Sequence, residues 1–403
     1  MLKRIFTPLL PRVIAGIILG VICGLFFPEG LARVFTTFNG LFSNFLGFII
    51  PVLILALVAP AIADLGRGAG KWLLITAGIA YASTIIAGLL AYGTATALFP
   101  TLLGERNLSS FADPSEHFLT PFFEVAMPAP MDIMTALLLA FCIGVGITLI
   151  KGDTLHRGLE ELRKIIMKTV ISVIIPLLPI YIFGAFLSLT MNGQIGTVIN
   201  TFIRVVIVAF ALTVLYLVLQ YSVAGAIAGR NPFKLLRNML PAYFTALGTS
   251  SSAATIPVTL QCTLKNGVRE DVAGFTVPLC ATIHLAGSTL KIVLFSVAVM
   301  MFMGRDIDPG TYIGFIFMLG ITMVAAPGVP GGAIMAAVGL LGSMLGFDDT
   351  MISIMIATYV AIDSFGTACN VTGDGAIAVA INKFFGDREQ KLEPATEPAP
   401  AAS

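Results

Sequence analysis

Apolar stretches long enough to cross a bilayer recur along the whole chain, and no other feature constrains its fold as tightly. They cover about 11–27, 40–63, 72–99, 129–150, 167–190, 198–228, 271–303 and 351–385. A hydrocarbon core of ~30 Å needs about 20 apolar residues in a helix and only about 9–11 in a barrel strand, so these runs predict helices and not a barrel. Charged residues make up 11% of the 403, against about 25% in soluble proteins. The chain reads as an all-α polytopic membrane protein. Its start, Met1 to Pro8, leads straight into the first span without a cleavable signal segment.

Two further apolar stretches, about 241–264 and 311–346, are broken by Gly, Ser and Pro. Basic residues assign the sides. With the N-terminus inside, Lys3, Arg4, Arg12, Arg67, Lys71, Lys151, Arg157, Arg163, Lys164, Lys168, Arg230, Lys234, Arg237, Lys265, Arg269, Lys383, Arg388 and Lys391 fall on the cytoplasmic face, and Arg33, Arg106 and Arg305 on the other. This assignment puts both ends of 241–264 inside and both ends of 311–346 outside. Each is therefore expected to dip in and return, giving eight transmembrane helices plus two re-entrant helical hairpins. Hairpin-then-helix occurs twice in opposite senses, an inverted repeat of the kind that marks a secondary transporter's midplane site. The polar loop 101–127 is expected outside. The Pro/Ala/Glu-rich tail 387–403 is expected to be disordered in the cytoplasm, which places both termini on that side of the cell inner (plasma) membrane.

The polar residues inside these runs carry the chemistry. At ~100° per residue, Asp363, Thr367, Asn370 and Asp374 fall within roughly 60° of one another around a helix. A carboxylate at membrane depth costs ~2.5–3.5 kcal/mol on insertion scales, so such residues face a cavity, a partner or an ion. The bland reading is a polar contact between packed helices. The first hairpin tip, Gly248-Thr-Ser-Ser-Ser252-Ala-Ala-Thr-Ile-Pro257, offers hydroxyls and accessible N–H groups that suit a carboxylate, although a flexible turn looks similar. The second, Ala325-Ala-Pro-Gly328-Val-Pro330-Gly-Gly-Ala, suits a turn with carbonyls aimed at a cation. Five Cys in apolar context and three scattered His give no metal spacing, and a net charge of +1 gives no reason to expect nucleic acid. An enzyme is not expected. An aspartyl intramembrane protease needs Gly-x-Gly-Asp on one of two facing helices, whereas here Val371-Thr-Gly-Asp374 shares its helix with Asp363. Gly248-Thr-Ser250 matches the Gly-x-Ser of a serine type only by its shortness, and a channel needs no pair of opposed gates.

Ser250-Ser-Ser-Ala-Ala-Thr-Ile-Pro257, Pro327-Gly-Val-Pro-Gly331 and Asp363…Asn370-Val-Thr-Gly-Asp374 together resemble the dicarboxylate/amino-acid:cation symporter (glutamate-transporter) family, and the resemblance covers essentially the whole chain. The two tips most resemble the bacterial serine/threonine symporter branch. The resemblance implies a homotrimer with an elevator mechanism. It implies a scaffold over 1–70 and 128–192, with the extracellular loop 101–127 leading into its second part. The moving transport domain comprises 71–100, 193–230, the hairpin 231–268, helix 269–305, the hairpin 306–347 and helix 348–386. By resemblance Asp363 binds the substrate's amino group. Ser250, Ser251, Ser252, Ser288, Thr367 and Asn370 are its polar contacts, and Val329 is a backbone contact. Asp374, with carbonyls of Cys280, His284 and Asn370, matches one sodium site. Carbonyls of Thr282, Leu285, Met323, Val324 and Ala326 match another.

The departures set the substrate expectation. Acidic-substrate members carry an arginine three residues after the amine-binding aspartate, and here that position is Gly366. A second buried carboxylate without a cation is penalised, so a small neutral amino acid is expected, of the serine, threonine or alanine type. The family's Asn-Met-Asp-Gly-Thr is His284-Leu-Ala-Gly-Ser288, with Ala286 in place of the aspartate. A third sodium site, to which Ser83 and Thr84 would contribute, is expected to be lost. His284 either carries a proton in its stead, adding H+ to Na+, or serves as a neutral stand-in for asparagine. Lys291 has three open readings: a stem snorkelling to the outer interface, a tethered cation replacing the missing sodium, or an anchor, shared with His284, that takes the place of the missing arginine and restores an acidic amino acid or C4-dicarboxylate as substrate. Arg204 is expected at the outer interface.

Overall fold

The computed structural model describes residues 9–67, 71–103, 119–193, 195–326 and 330–389, and every regular element among them is helical. In chain order these are α1 (Leu9–Gly24), α2 (Glu29–Arg67), α3 (Lys71–Leu103), α4 (Ile133–Leu149), α5 (Thr154–Thr169), α6 (Ile175–Met191), α7 (Ile195–Ala228), α8 (Pro232–Asn238), α9 (Leu240–Thr249), α10 (Ser252–Lys265), α11 (Glu270–Ile283), α12 (Ala286–Phe302), α13 (Pro309–Ala325), α14 (Gly332–Leu345), α15 (Asp349–Ala361) and α16 (Asp363–Glu389). One wide turn, Val170–Ile174, joins α5 to α6 in a continuous rod.

Five rods are individually long and apolar enough to cross a membrane: Glu29–Ala63, Trp72–Leu103, Thr154–Met191, Val198–Ala228 and Glu270–Phe302. The pair α15–α16, bent by 61° between its halves, makes a sixth. α1 and α4 are as apolar but shorter, 16 and 17 residues, or ~25 Å at 1.5 Å per residue. α16 runs to Glu389 and so takes in the first three residues of the tail expected to be disordered, and 390–403 lie outside the described residues. So do 104–118 of the expected outer loop, and Pro327, Gly328 and Val329 of the second tip.

Both Gly/Ser/Pro-broken stretches form helix-turn-helix pairs, α9 on α10 and α13 on α14. Each pair is closed at its base by side chains. Asn266, after α10, accepts from Asn238 Nδ2 at 2.8 Å, donates to Leu235 O at 3.1 Å, and offers its own carbonyl to Arg230. Arg305, after α12, donates to Gly346 O at 2.6 Å and to Asp348 at 3.2 Å, which ties the end of α14 to the start of α15. Asp308 caps α13 by accepting from Thr311 N at 2.7 Å.

Each pair is followed by a broken helix. α11 and α12 are separated by His284 and Leu285, whose backbone leaves the helical region (φ/ψ −103/98 and −120/39). α15 and α16 part at Ile362 (φ −122, ψ 22). The second break is a correction, because 351–385 reads as one uninterrupted segment. The Asp363–Asp374 stripe begins at a helix N-terminus. There a carboxylate is favoured by the unpaired N–H groups and the helix dipole.

Candidate functional site

α16 is the axis of the site. It packs against α7, α9, α10, α11 and α12, so its polar stripe is enclosed on every side. Asp363, Thr367, Asn370 and Asp374 are all buried, Asp374 completely. α12 lies close against α16 at Gly287, where an added Cβ would meet Cys369 Cβ at 2.5 Å and Gly366 O at 2.7 Å. Small residues at such a crossing let the backbones approach.

Asp363, at the break, uses both carboxylate oxygens. Oδ2 accepts from Gly331 N, beside the second tip, at 2.8 Å. Oδ1 faces the ammonium of Lys291 at 3.5 Å. The ammonium also donates to Ile362 O at 3.1 Å and Asp363 O at 3.2 Å, and it lies 4.1 Å from the centre of the Tyr359 ring. Lys291 is 1% exposed, so its stem does not snorkel to an interface. A side chain at 366 would occupy the same volume, since its Cβ would meet Lys291 Nζ at 2.5 Å. Lysine therefore fills from α12 the space that glycine leaves on α16.

One and two turns on, Asn370 clasps the start of α12. Its Oδ1 accepts from Gly287 N at 2.8 Å and Ser288 N at 3.4 Å, and its Nδ2 donates to Ser288 Oγ at 3.1 Å. These bonds satisfy N–H groups left open by the break. Thr367 Oγ1 turns back to Asp363 O at 3.2 Å.

Asp374 pairs with His284: Nδ1 and Oδ1 are 2.9 Å apart and both side chains are fully enclosed. The other ring nitrogen, Nε2, lies 3.0 Å from Ser83 Oγ and 3.4 Å from Gln220 Nε2. Ser83 is further bound to Tyr216 OH at 2.8 Å and Gln220 Nε2 at 2.9 Å. Thr84 is turned back on its own helix, to Ala80 O. Asp374 Oδ2 and Gln220 Oε1 are buried without a hydrogen-bond partner. An ionised oxygen in that state is costly unless a cation meets it, and an unwound helix with free carbonyl lone pairs stands beside it. That donor set, one carboxylate oxygen and backbone carbonyls, suits a hard monovalent cation. His284 N donates to Cys280 O at 2.8 Å and Thr289 N to Leu285 O at 2.9 Å, which leaves each of those carbonyls a second lone pair. α13, which ends at Ala325, packs on α11, so the carbonyls of Met323, Val324 and Ala326 lie on an element next to the first break.

In the first tip Ser250 is left-handed (φ 48), Ser251 caps α10 by accepting from Ala254 N at 3.3 Å, and Ser252 is buried. Arg204 is exposed and donates to Leu102 O. Tyr216, Gln220 and Tyr359 were not singled out by sequence reasoning. Thr213, Tyr216 and Gln220, at i, i+3 and i+7 of an otherwise apolar run, form a polar stripe that carried the signal.

Comparison with known proteins gives one coherent answer. A family profile described as "Sodium:dicarboxylate symporter family" matches residues 9–384. The serine/threonine transporter SstT of Acinetobacter baumannii (strain AYE) is 27% identical over 389 residues, 93% of this chain and 96% of that protein. Its counterpart in strain ATCC 17978 is 26% identical over the same span.

Proposed function

The chain belongs to the sodium:dicarboxylate symporter family and is a multi-pass membrane symporter rather than an enzyme, and on that premise we propose that it couples inward Na+ movement to uptake of a small neutral amino acid. Asp363 receives the substrate's ammonium. The two tips, with Thr367 and the Ser288–Asn370 clasp, surround its carboxylate. Asp374 Oδ2 and the carbonyls of Cys280, His284 and Asn370 hold one Na+. Carbonyls of Thr282, Leu285, Met323, Val324 and Ala326 hold a second. The imidazole of His284, bridging Asp374 and Ser83, stands where a third ion would otherwise bind.

The state of Lys291 carries the choice of substrate. Its ammonium already has two carbonyls, a carboxylate oxygen and an aromatic face as partners. Among the described residues no other lysine or arginine is buried, and the buried imidazole of His284 is engaged by Asp374 and Ser83. A second substrate carboxylate would therefore be enclosed without a free cation, which costs several kcal/mol. The chain's similarity to serine/threonine transporters agrees with this reading.

The same reading takes α1 and α4 as crossings alongside the six longer spans and both hairpins as re-entrant, with cytoplasmic termini and three copies per assembly. α1, α2 and α4–α6 form the scaffold, and α3 with α7–α16 moves as an elevator. Sodium neutralises Asp374 and orders the break, the substrate binds, and the second tip closes. The closed domain then crosses, because open backbone and bare charge are costly in lipid.

One observation favours a second reading: Lys291 Nζ lies where a side chain at 366 would begin, so an acidic amino acid or C4-dicarboxylate could bind with Lys291 in the arginine's role. Uptake into proteoliposomes under an inward Na+ gradient, with serine, alanine and aspartate in parallel, separates the two. Na+-dependent serine or alanine uptake with little aspartate is expected. Aspartate as the preferred substrate would overturn the neutral reading. Uptake that ignores Na+ and follows a pH gradient would move coupling to His284.

A further inference from the structure

We propose that Lys291 is a tethered counter-ion of Asp363 that serves the return step of the substrate-free protein, ceding the carboxylate to the substrate's ammonium on loading and reclaiming it on release. The proposal rests on the reading of Asp363 as the amine-binding carboxylate.

The partners of the ammonium are unequal. The two backbone carbonyls at 3.1 and 3.2 Å are its short contacts, and the carboxylate at 3.5 Å is its longest. Ile362 follows the last turn of α15, where the helix dipole favours a cation. With the face of Tyr359 at 4.1 Å as well, the ammonium keeps its place when the carboxylate turns away. The carboxylate of Asp363, in contrast, is held by Lys291 on one oxygen and by Gly331 N on the other. An arriving ammonium has only to replace a 3.5 Å contact, while Lys291 stays seated on the carbonyls.

The consequence falls on the empty crossing. After substrate leaves, a closed domain without Lys291 would enclose Asp363 with only a backbone N–H as partner. Moving an uncompensated carboxylate through the membrane is disfavoured. Lys291 supplies the missing positive charge from within the chain, so the return needs no borrowed cation at this position. Gly366 is the enabling residue, because any side chain there would evict the ammonium.

The experiment compares two modes in proteoliposomes, using whichever amine-bearing substrate an uptake screen identifies. Exchange, with substrate and Na+ saturating on both sides, needs only loaded crossings. Net Na+-driven uptake into empty vesicles also needs the empty return. Lys291→Gln keeps donors for both carbonyls and loses the charge, and the ratio of net uptake to exchange is expected to fall by about 10- to 100-fold. Lys291→Gly opens the carbonyl cage, and internal methylammonium is expected to restore its ratio towards that of the wild type. A Lys291→Gln ratio within about twofold of wild type, or both modes falling together, overturns the proposal, since charge pairing on the empty return would shift the ratio by an order of magnitude. Which amine is carried is scored separately and decides only the neutral-substrate reading. A wild-type protein that exchanges no amine-bearing substrate overturns both.

Discussion

Gly366 on α16 and Lys291 on α12 compete for one volume, and this couples two positions 75 residues apart in the sequence. Gly366→Ala places a methyl group 2.5 Å from the lysine's Nζ, an overpacking that costs about 1–3 kcal/mol. Lys291→Ala leaves Asp363 unpaired, which costs about 3–5 kcal/mol when a buried partner is removed. In the double variant the added methyl enters the space the lysine vacated. The two costs should therefore fail to add, with a coupling of about 0.5–3 kcal/mol. Thermal unfolding of the detergent-solubilised protein across the four members of the cycle measures it, and strict additivity would show that the two residues do not share the space. At this scale much was legible in advance. The stripe Asp363, Thr367, Asn370, Asp374 lies on one helix as its spacing requires, and Lys291 and His284 were marked as anomalies by charge in apolar surroundings. Their partners were not legible. Lys291 meets Asp363 because the chain breaks at Ile362 and turns two carbonyls towards α12, and a period of 3.6 residues contains no such information.

The elements repeat a unit: a helical hairpin with its base clamped by side chains, then a broken helix. The hairpins were legible because Gly, Ser and Pro interrupt each apolar run, with basic residues at both ends of the first and Arg305 before the second. The breaks were not. His284–Leu285 and Ile362 contain neither Gly nor Pro, and the Pro278 and Gly287 that flank the first break lie inside regular helix. Tertiary partners replace the lost helical bonds: Asn370 for the N–H groups of Gly287 and Ser288, Lys291 for the carbonyls of Ile362 and Asp363. The first tip pays a different kind of cost. Ser250 is the one non-glycine residue with positive φ among the described residues (48°), a conformation that costs an L-residue about 1–2 kcal/mol. Ser250→Gly should therefore stabilise the protein by up to about 1 kcal/mol, and Ser250→Val should destabilise it by a similar amount, because a β-branched residue fits that region worst. Unfolding midpoints of the two variants should lie on opposite sides of the wild type. Midpoints on the same side would mean that the tip is not held in the left-handed turn in the folded protein.

In the whole molecule, contacts divide the helices into two groups. α1 packs on α6, and α2 on α4, α5 and α6. α16 gathers α7 and α9–α12, with α3 and α13–α14 joined through α12 and one another. Between the groups run α2 against α13 and α14, α4 against α14, and α15 against α1 and α6. One crossing in that seam is very close: a Cβ on Gly339 of α14 would meet Ile50 Cγ2 of α2 at 2.6 Å and Ile133 Cδ1 of α4 at 3.0 Å. If the second group slides past the first as an elevator, Gly339 must leave Ile50 in every cycle. If the substrate instead reaches both faces by movement of the hairpin tips alone, the pair can stay together. The variant Ile50→Cys/Gly339→Cys, made in a background without the five native cysteines, tests this directly. Replacing Ile50 removes the methyl group that blocks position 339, so the two thiols come within bridging range. Oxidation should then abolish both net uptake and exchange, and reduction should restore them, because even exchange requires the loaded group to travel. Transport that survives complete cross-linking would fix α14 to α2 throughout the cycle. It would confine the motion to the tips around Ser250–Ser252 and Gly331, and so remove the sliding interface from the mechanism while leaving the site on α16 intact.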